Sequence, residues 1–197
     1  MANFDLLSKD YDTDIRIKRA KAFSDEISLH IVDGHKKTAL EYGCGTGLVG
    51  FNLINNFASI IFVDSSFGMI EQINKKLLNS GKTSSYAMCC NFMTEMPKDI
   101  KVNYIFASLV LHHIKDVKII LSRFYNILHS EGHLLIIDKN GDGVFHTNNT
   151  EIDGYDGFDQ FAFSESIKEM GFINIEIKTF WYSNKIAKGV FLLDAMK

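Results

Sequence analysis

Acids set against glycines are the residues around which chemistry in this chain can be built. Glu41-Tyr42-Gly43-Cys44-Gly45-Thr46-Gly47 follows one short apolar segment and precedes another. Glycines there let the backbone turn sharply and approach a ligand with no Cβ in the way. The N–H groups that open a following helix attract an anionic group. Asp64 ends the next apolar segment, where a carboxylate can accept both hydroxyls of a ribose; it or Ser65 can also cap the helix beyond. Gly45-Thr46-Gly47-Leu48-Val49-Gly50 satisfies the G-x-G-x-x-G dinucleotide pattern too, with Asp64 19 residues beyond Gly45. On spacing alone the loop binds a nucleoside-bearing cofactor.

The apolar pattern marks the elements that must position these residues. Ile17, Ala20, Phe23, Ile27 and Ile31 recur at helical spacing over 14–35, with Arg16, Lys18, Arg19, Asp25 and Glu26 elsewhere. Strands are predicted at Thr38–Tyr42, Ser59–Val63, Ser85–Cys89, Val102–Leu109 and His133–Ile137, with helices at Leu48–Ile54, Phe67–Leu78 and Val117–Leu128 between them. Such alternation implies parallel strands joined by right-handed crossovers. Their continuous apolar runs fit a sheet covered on both faces. Beyond a polar loop, a helix at Phe161–Met170 leads to two strands, Ile173–Phe180 and Val190–Ala195, with no helix between them, which predicts an antiparallel hairpin. The fold class is α/β, a doubly wound, mostly parallel sheet with an antiparallel tail, and its ligand belongs outside the carboxyl ends of the strands.

Composition narrows the function classes. The 197 residues suggest a single domain, with 21 Lys and Arg against 24 Asp and Glu for a net charge of −3. That balance lacks the electrostatic footprint of a nucleic-acid binder. No apolar run is long enough to span a membrane, and MANFDLLSKDYD has acids where a secretory leader needs a basic end. Cys44, Cys89 and Cys90 are odd in number and lack metal-ligand spacing, so reduced thiols and a cytoplasmic location are expected. Asp138-Lys139-Asn140-Gly141-Asp142-Gly143 copies half of a calcium loop, but its twelfth position is Asn149, not a bidentate Glu, and no metal is expected.

In order along the chain, E-Y-G-C-G-T-G at 41–47, V-D-S at 63–65, C-N-F at 90–92, I-F-A-S-L-V-L-H-H-I at 105–114 and L-H-S-E-G-H-L-L-I-I-D at 128–138 form a set. With the tail Gly157-Phe158-Asp159, Met170-Gly171-Phe172 and Gly189-Val190-Phe191, the chain resembles the class I S-adenosylmethionine-dependent methyltransferases, in their small-molecule branch, over about residues 35–197. The resemblance implies a seven-stranded Rossmann-like sheet: a helical cap at 1–35, a cofactor-binding core at 36–139, a loop or lid at 140–160, and a helix with antiparallel strands at 161–197. It implies S-adenosylmethionine as methyl donor, S-adenosylhomocysteine as product and a small-molecule acceptor.

By the same resemblance, Glu41, Gly43, Cys44 and Gly45 line the methionine part, with Glu41 at its amino group. Asp64 binds the ribose, with Ser65 beside it. Asn91 meets the adenine amino group through its carbonyl and Phe92 the ring face, although position 91, like 103, is commonly Asp in the family. Ser108 and Leu109 lie near the donated methyl, and His112 and His113 face the acceptor. His113, an imidazole titrating near neutrality, is the candidate base. Tyr11 covers the cofactor or anchors the amino-terminal helix. Asp138, His146 and Asp156 are candidates for orienting an acceptor. The aromatics Phe145, Tyr155, Phe158, Phe161, Phe163, Phe180, Trp181 and Tyr182 supply core and, in part, an acceptor wall. Two alternatives stay open. One is a non-catalytic binder of the same cofactor; the other is a nicotinamide oxidoreductase, though no tyrosine has Lys four residues on, as the short-chain dehydrogenases require. No Pro-Pro-aromatic motif of the nucleic-acid amino-methylases follows the fourth strand.

Overall fold

A computed structural model describes residues 4–146, 154–183 and 186–197. In chain order, α1 (Phe4–Leu7) and α2 (Asp14–Ser28) precede β1 (Thr38–Tyr42), α3 (Leu48–Leu53), β2 (Ser59–Asp64), α4 (Phe67–Ser80) and β3 (Tyr86–Cys89). Then come β4 (Val102–Ser108), α5 (Val117–Ile127), β5 (Leu128–Lys139), the short β6 (Phe145–His146) and β7 (Gly154–Tyr155), α6 (Gln160–Glu169), β8 (Ile173–Ser183) and β9 (Ile186–Met196). Seven strands form one sheet in the order β3-β2-β1-β4-β5-β9-β8, parallel except for β9 against both its neighbours.

Strand alternation divides the core between the two faces. Leu40, Ile61, Ile105 and Leu134 meet α5 and α6, whereas Ala39, Ile60, Tyr104 and Leu135 meet α2, α3 and α4. On α5 the spacing Val117, Ile120, Leu121, Phe124 turns one stripe inward. Ile120 and Phe124 are fully buried there, each contributing about 1.5–3 kcal/mol. The antiparallel tail follows the same logic. Val190–Leu193 are all buried because β9 lies inside the sheet, while the edge strand β8 alternates.

Several boundaries differ from the sequence reading. Helix α2 stops at Ser28 rather than 35, because Leu29 bonds back to Glu26 and Ile27 and Asp33 takes a left-handed turn at φ 52°. Ile31 still packs on the same core, so the apolar spacing runs on past the helix. Strand β5 begins at Leu128, not His133, because a register shift separates the pairs Val102 with Leu128 and Tyr104 with His133. The 140–160 loop carries β6 and β7 paired antiparallel; residues 147–153, including Asn149, lie outside the described residues. The short α1 had no periodicity to announce it.

Candidate functional site

Strand order reverses between β1 and β4, and the connections leaving their carboxyl ends open a crevice. A cavity of about 760 Å³ lies there, within the range of small-molecule sites. Tyr11, Glu41, Gly43, Cys44, Gly45, Asp64, Ser65, Asn91, Ser108, Leu109 and His113 all line it.

Phe92 does not. It is fully buried on the α5 side against Tyr42 and Phe124, and its neighbour Met93 reaches the cavity instead. Asn91 lines the cavity, with its Oδ1 accepting the Met93 N–H at 2.9 Å; that oxygen keeps a second lone pair and the NH2 its donors for a ligand.

Glu41 faces α3 because it shares a strand face with Ala39. Its side chain is buried and accepts the Gly50 N–H at 3.2 Å. A Cβ on residue 50 would stand 2.2 Å from Glu41 Oε2, so only glycine lets the acid reach this position. Burial pushes the Glu41 carboxyl well above its ordinary range; the Gly50 amide opposes this and Asp64 adds to it. Such an acid favours a cation arriving in the cavity.

Asp64 accepts the Gly45 N–H at 2.8 Å and the Ser66 N–H at 2.9 Å, one on each oxygen. Burial raises its pKa, while these amides and that of Ser65 lower it. Each oxygen keeps a lone pair for a ligand. The helix cap is neither Asp64 nor Ser65 but Ser66, which accepts the Met69 N–H at 3.2 Å and so frees both for the cavity.

Across the crevice the chain leaving β4 is folded tightly. Leu109 sits at φ 52°, a left-handed conformation uncommon outside glycine, held by its N–H donating to Ile137 O at 2.8 Å. Val110 then packs onto Gly43, where a Cβ would lie 2.2 Å from Val110 Cγ2; at φ 63° that position demands glycine twice over. His112 turns inward to the buried Asp138, and His113 turns to the cavity. Burial, then the adjacent His112, pushes His113 down to about 4. Asp138, expected as an acceptor contact, is a support instead, fully buried and bonded to His112 and the Lys139 amide. His146 and Asp156 stand at the surface near Asp142 and Lys188. Phe158 and Phe163 are core, Phe180 and Trp181 pack on Phe23, and only Phe145 of the named aromatics lines the cavity.

An amino-terminal strap closes one side. Asp5 accepts from Ser66 Oγ at 2.6 Å and the Gly68 N–H at 2.9 Å. Asp12 accepts from Thr46 and from Lys76 Nζ, the latter at 2.8 Å. Between these anchors the Tyr11 ring lies over Gly45, where a Cβ would be 3.6 Å away. Phe4, Arg16, Arg19 and Lys115 line the cavity as well, and the sequence reading passed over them. Arg16 and Arg19 were set on the solvent face, although each lies four residues before a buried position, Ala20 and Phe23.

Residues 40–134 match a family model described as a methyltransferase domain. That segment runs from β1 into β5 and spans just under half of the chain. Among curated proteins the chain is similar to an uncharacterized methyltransferase of Schizosaccharomyces pombe, 26% identical over 118 residues, 55% of this chain and 41% of the relative. The match thus spans less than half of that relative's length. Among solved structures, an Aquifex aeolicus S-adenosylmethionine-dependent methyltransferase is 15% identical with TM-score 0.73, covering 98% of this chain and 97% of its own. A Haemonchus contortus phosphoethanolamine N-methyltransferase 2 in complex with S-adenosyl-L-methionine is 18% identical with TM-score 0.72, covering 100% of this chain and 60% of its own. Both are likenesses of fold. Among the described residues, no helix is long and apolar enough to cross a membrane, and no group of three or more His, Cys, Asp or Glu could hold a metal ion.

Proposed function

We propose that this protein is a methyltransferase that moves the methyl group of S-adenosylmethionine to a small molecule lodged on the His113 side of the cavity. The observation that carries the reading is Glu41 buried beneath the glycine loop with Asp64 on the neighbouring strand. A dinucleotide pyrophosphate at this loop would meet a buried acid. An S-adenosyl compound brings an ammonium for Glu41 and a ribose for the free lone pairs of Asp64, and the complexed Haemonchus structure carries that ligand on the same fold.

The bound donor supplies an electrophilic methyl on sulfur with a neutral thioether as leaving group. The protein's part is positional. Glu41, Asp64 and Asn91 would hold the donor's polar ends, Ser108 and Leu109 would border its reacting end, and Tyr11 would cover it. Holding two reactants in line is worth up to about 7–11 kcal/mol in favourable intramolecular models. His113 stays a neutral imidazole at pH 7 and can accept a hydrogen bond from the methyl acceptor, but a pKa near 4 makes it a weak base, which suits an acceptor that is already nucleophilic. Phe4, Ile114 and Phe145 give the acceptor side an apolar wall.

The test is thermal unfolding of the full chain with S-adenosylmethionine, S-adenosylhomocysteine, NADH and NADPH. A ligand at 100 times its dissociation constant adds about 2.7 kcal/mol, raising the midpoint by roughly 5–10 °C. A shift with the S-adenosyl compounds, weakened at least about tenfold in affinity by Asp64→Ala, is expected. A shift with a nicotinamide alone would replace this reading by the oxidoreductase.

A further inference from the structure

The sheet ends in two edge strands of opposite character. Strand β8 carries Glu176 and Lys178, breaks register at three places and turns Asn174 to φ 51°. Charges and bulges of this kind keep an edge from pairing with another chain. Strand β3 has neither. Tyr86-Ala87-Met88-Cys89 is uncharged, pairs with β2 without a break and leaves Tyr86 46% exposed.

An apolar flank of α4 adjoins this edge. About three full turns of helix separate Phe67 from Leu78, which puts both on one side of α4. They are 70% and 84% exposed. Lys76 marks the opposite side, where its Nζ reaches toward β1, to Thr46 O at 2.7 Å and Asp12 at 2.8 Å. With β1 on one side of β2 and β3 on the other, Phe67 and Leu78 face outward past the open edge. Glu71 and Lys75 lie between them along the helix, paired at 3.1 Å.

This surface is complementary to its own copy. We propose that the chain forms a two-fold dimer in which β3 pairs antiparallel with β3 of a second copy and the two α4 flanks pack beside the joint. A two-fold axis normal to the sheet keeps each face on its own side, so Tyr86 and Met88 meet on one face and Ala87 and Cys89 on the other. The same axis runs the two helices antiparallel. A copy that sets Phe67 against Leu78 then also sets Glu71 against Lys75 of the other copy, because both pairs centre near Ile73. Helix α4 lies over β2 and β3. Two β3 strands about 4.8 Å apart therefore leave the helices about 8–10 Å apart, the spacing at which helices pack. Apolar ends and both signs of charge are thus matched by one stretch of chain, as a closed isologous contact requires. Phe67, Leu78 and Tyr86 do not line the cavity, so the dimer leaves it open and does not depend on the proposed chemistry.

The test is sedimentation velocity of the full chain over about 1–300 µM, a range suited to a contact at the small end of interface sizes. Wild type should pass from monomer to dimer as concentration rises. Phe67→Glu with Leu78→Glu sets like charges against each other and should weaken association at least about tenfold. Phe67→Glu with Leu78→Lys sets opposite charges across the axis, in the order that also suits the helix dipole, and should associate at least about tenfold more tightly than the like-charged variant. Both positions are exposed, so unfolding midpoints at low concentration should stay within about 2 °C of wild type. In hydrogen exchange, the β3 amides that point away from β2 should gain protection as concentration rises. Wild type that stays monomeric throughout overturns the dimer and leaves the edge to a strand of another protein. Equal association of the two double variants, or a dimer whose β3 amides stay unprotected, places any contact elsewhere and overturns the assignment.

Discussion

The Asp138 carboxylate holds His112 at two points, accepting from the ring Nδ1 at 2.7 Å and from the backbone N–H at 3.2 Å. One acid at the end of β5 thereby fixes the turn after β4, and with it the directions of Leu109 and His113. The acid is fully buried. Removing one partner of such a pair leaves an unsatisfied buried group at a cost of about 3–5 kcal/mol. Asp138→Ala should therefore lower the unfolding midpoint by roughly 6–20 °C at this chain length. A fall of under about 2 °C in differential scanning calorimetry would remove Asp138 from this supporting role.

His113 gives a pH prediction whose sign follows from its depressed pKa. The ordinary imidazole value is 6.5 and the folded one about 4, so between them the unfolded chain binds the proton that the folded chain refuses. Its contribution to stability is complete above about pH 6.5 and fades as pH falls toward 4. Proton NMR of the imidazole, assigned by comparison with His113→Gln, should show a midpoint near 4. Where methyl transfer uses this base, the acid limb of kcat/KM should lie far below 6.5 and vanish in the same variant. A midpoint near 6.5 would mean an imidazole open to water.

Gly50 is explained by Glu41 rather than by a phosphate. Gly50→Ala brings a methyl to 2.2 Å from the acid and 2.5 Å from the Phe62 ring. It should cost about 1–3 kcal/mol of stability as overpacking and weaken S-adenosylhomocysteine more than 5′-methylthioadenosine, which has no amino group for Glu41 to hold. Equal weakening of the two ligands in titration calorimetry would separate Glu41 from the amino acid.

The strap is tied by an acid whose pKa lies below its ordinary value of 3.8, chiefly through the Ser66 hydroxyl and the Gly68 amide. A depressed carboxyl stabilises the folded contact above the ordinary value, and the contact weakens as pH falls through the lowered one. The protection factor of the Gly68 amide, its exchange rate corrected for the intrinsic pH dependence, should therefore fall below about pH 4. In Asp5→Asn it should be lower at neutral pH and lack that acid step. Identical exchange in the two proteins at pH 7 would show that Asp5 does not anchor the strap.

The local signals were legible because each rests on near neighbours in the chain. Periodicity marked the strands, the glycine loop and Asp64 followed from residue type and spacing, and the His112-His113 pair from the family resemblance. Phe92 misled because a residue after β3 can turn to either face of the sheet. Only the packing of Tyr42 and Phe124 drew it into the core and left Met93 for the cavity. Asp138 lies 26 residues from His112, and no sequence pattern ties the two.

The amino acids by themselves determined the α/β class, the parallel run and its antiparallel tail, and the glycine loop at the end of β1, since these depend on apolar period, turn residues and spacing. Tertiary structure alone decided which side chains meet in the cavity. Whether Arg16 and Arg19 face solvent or the cavity, and whether Asp5 and Asp12 are surface charges or anchors, depends on where the amino-terminal segment docks, and docking is set by contacts between residues far apart in the chain.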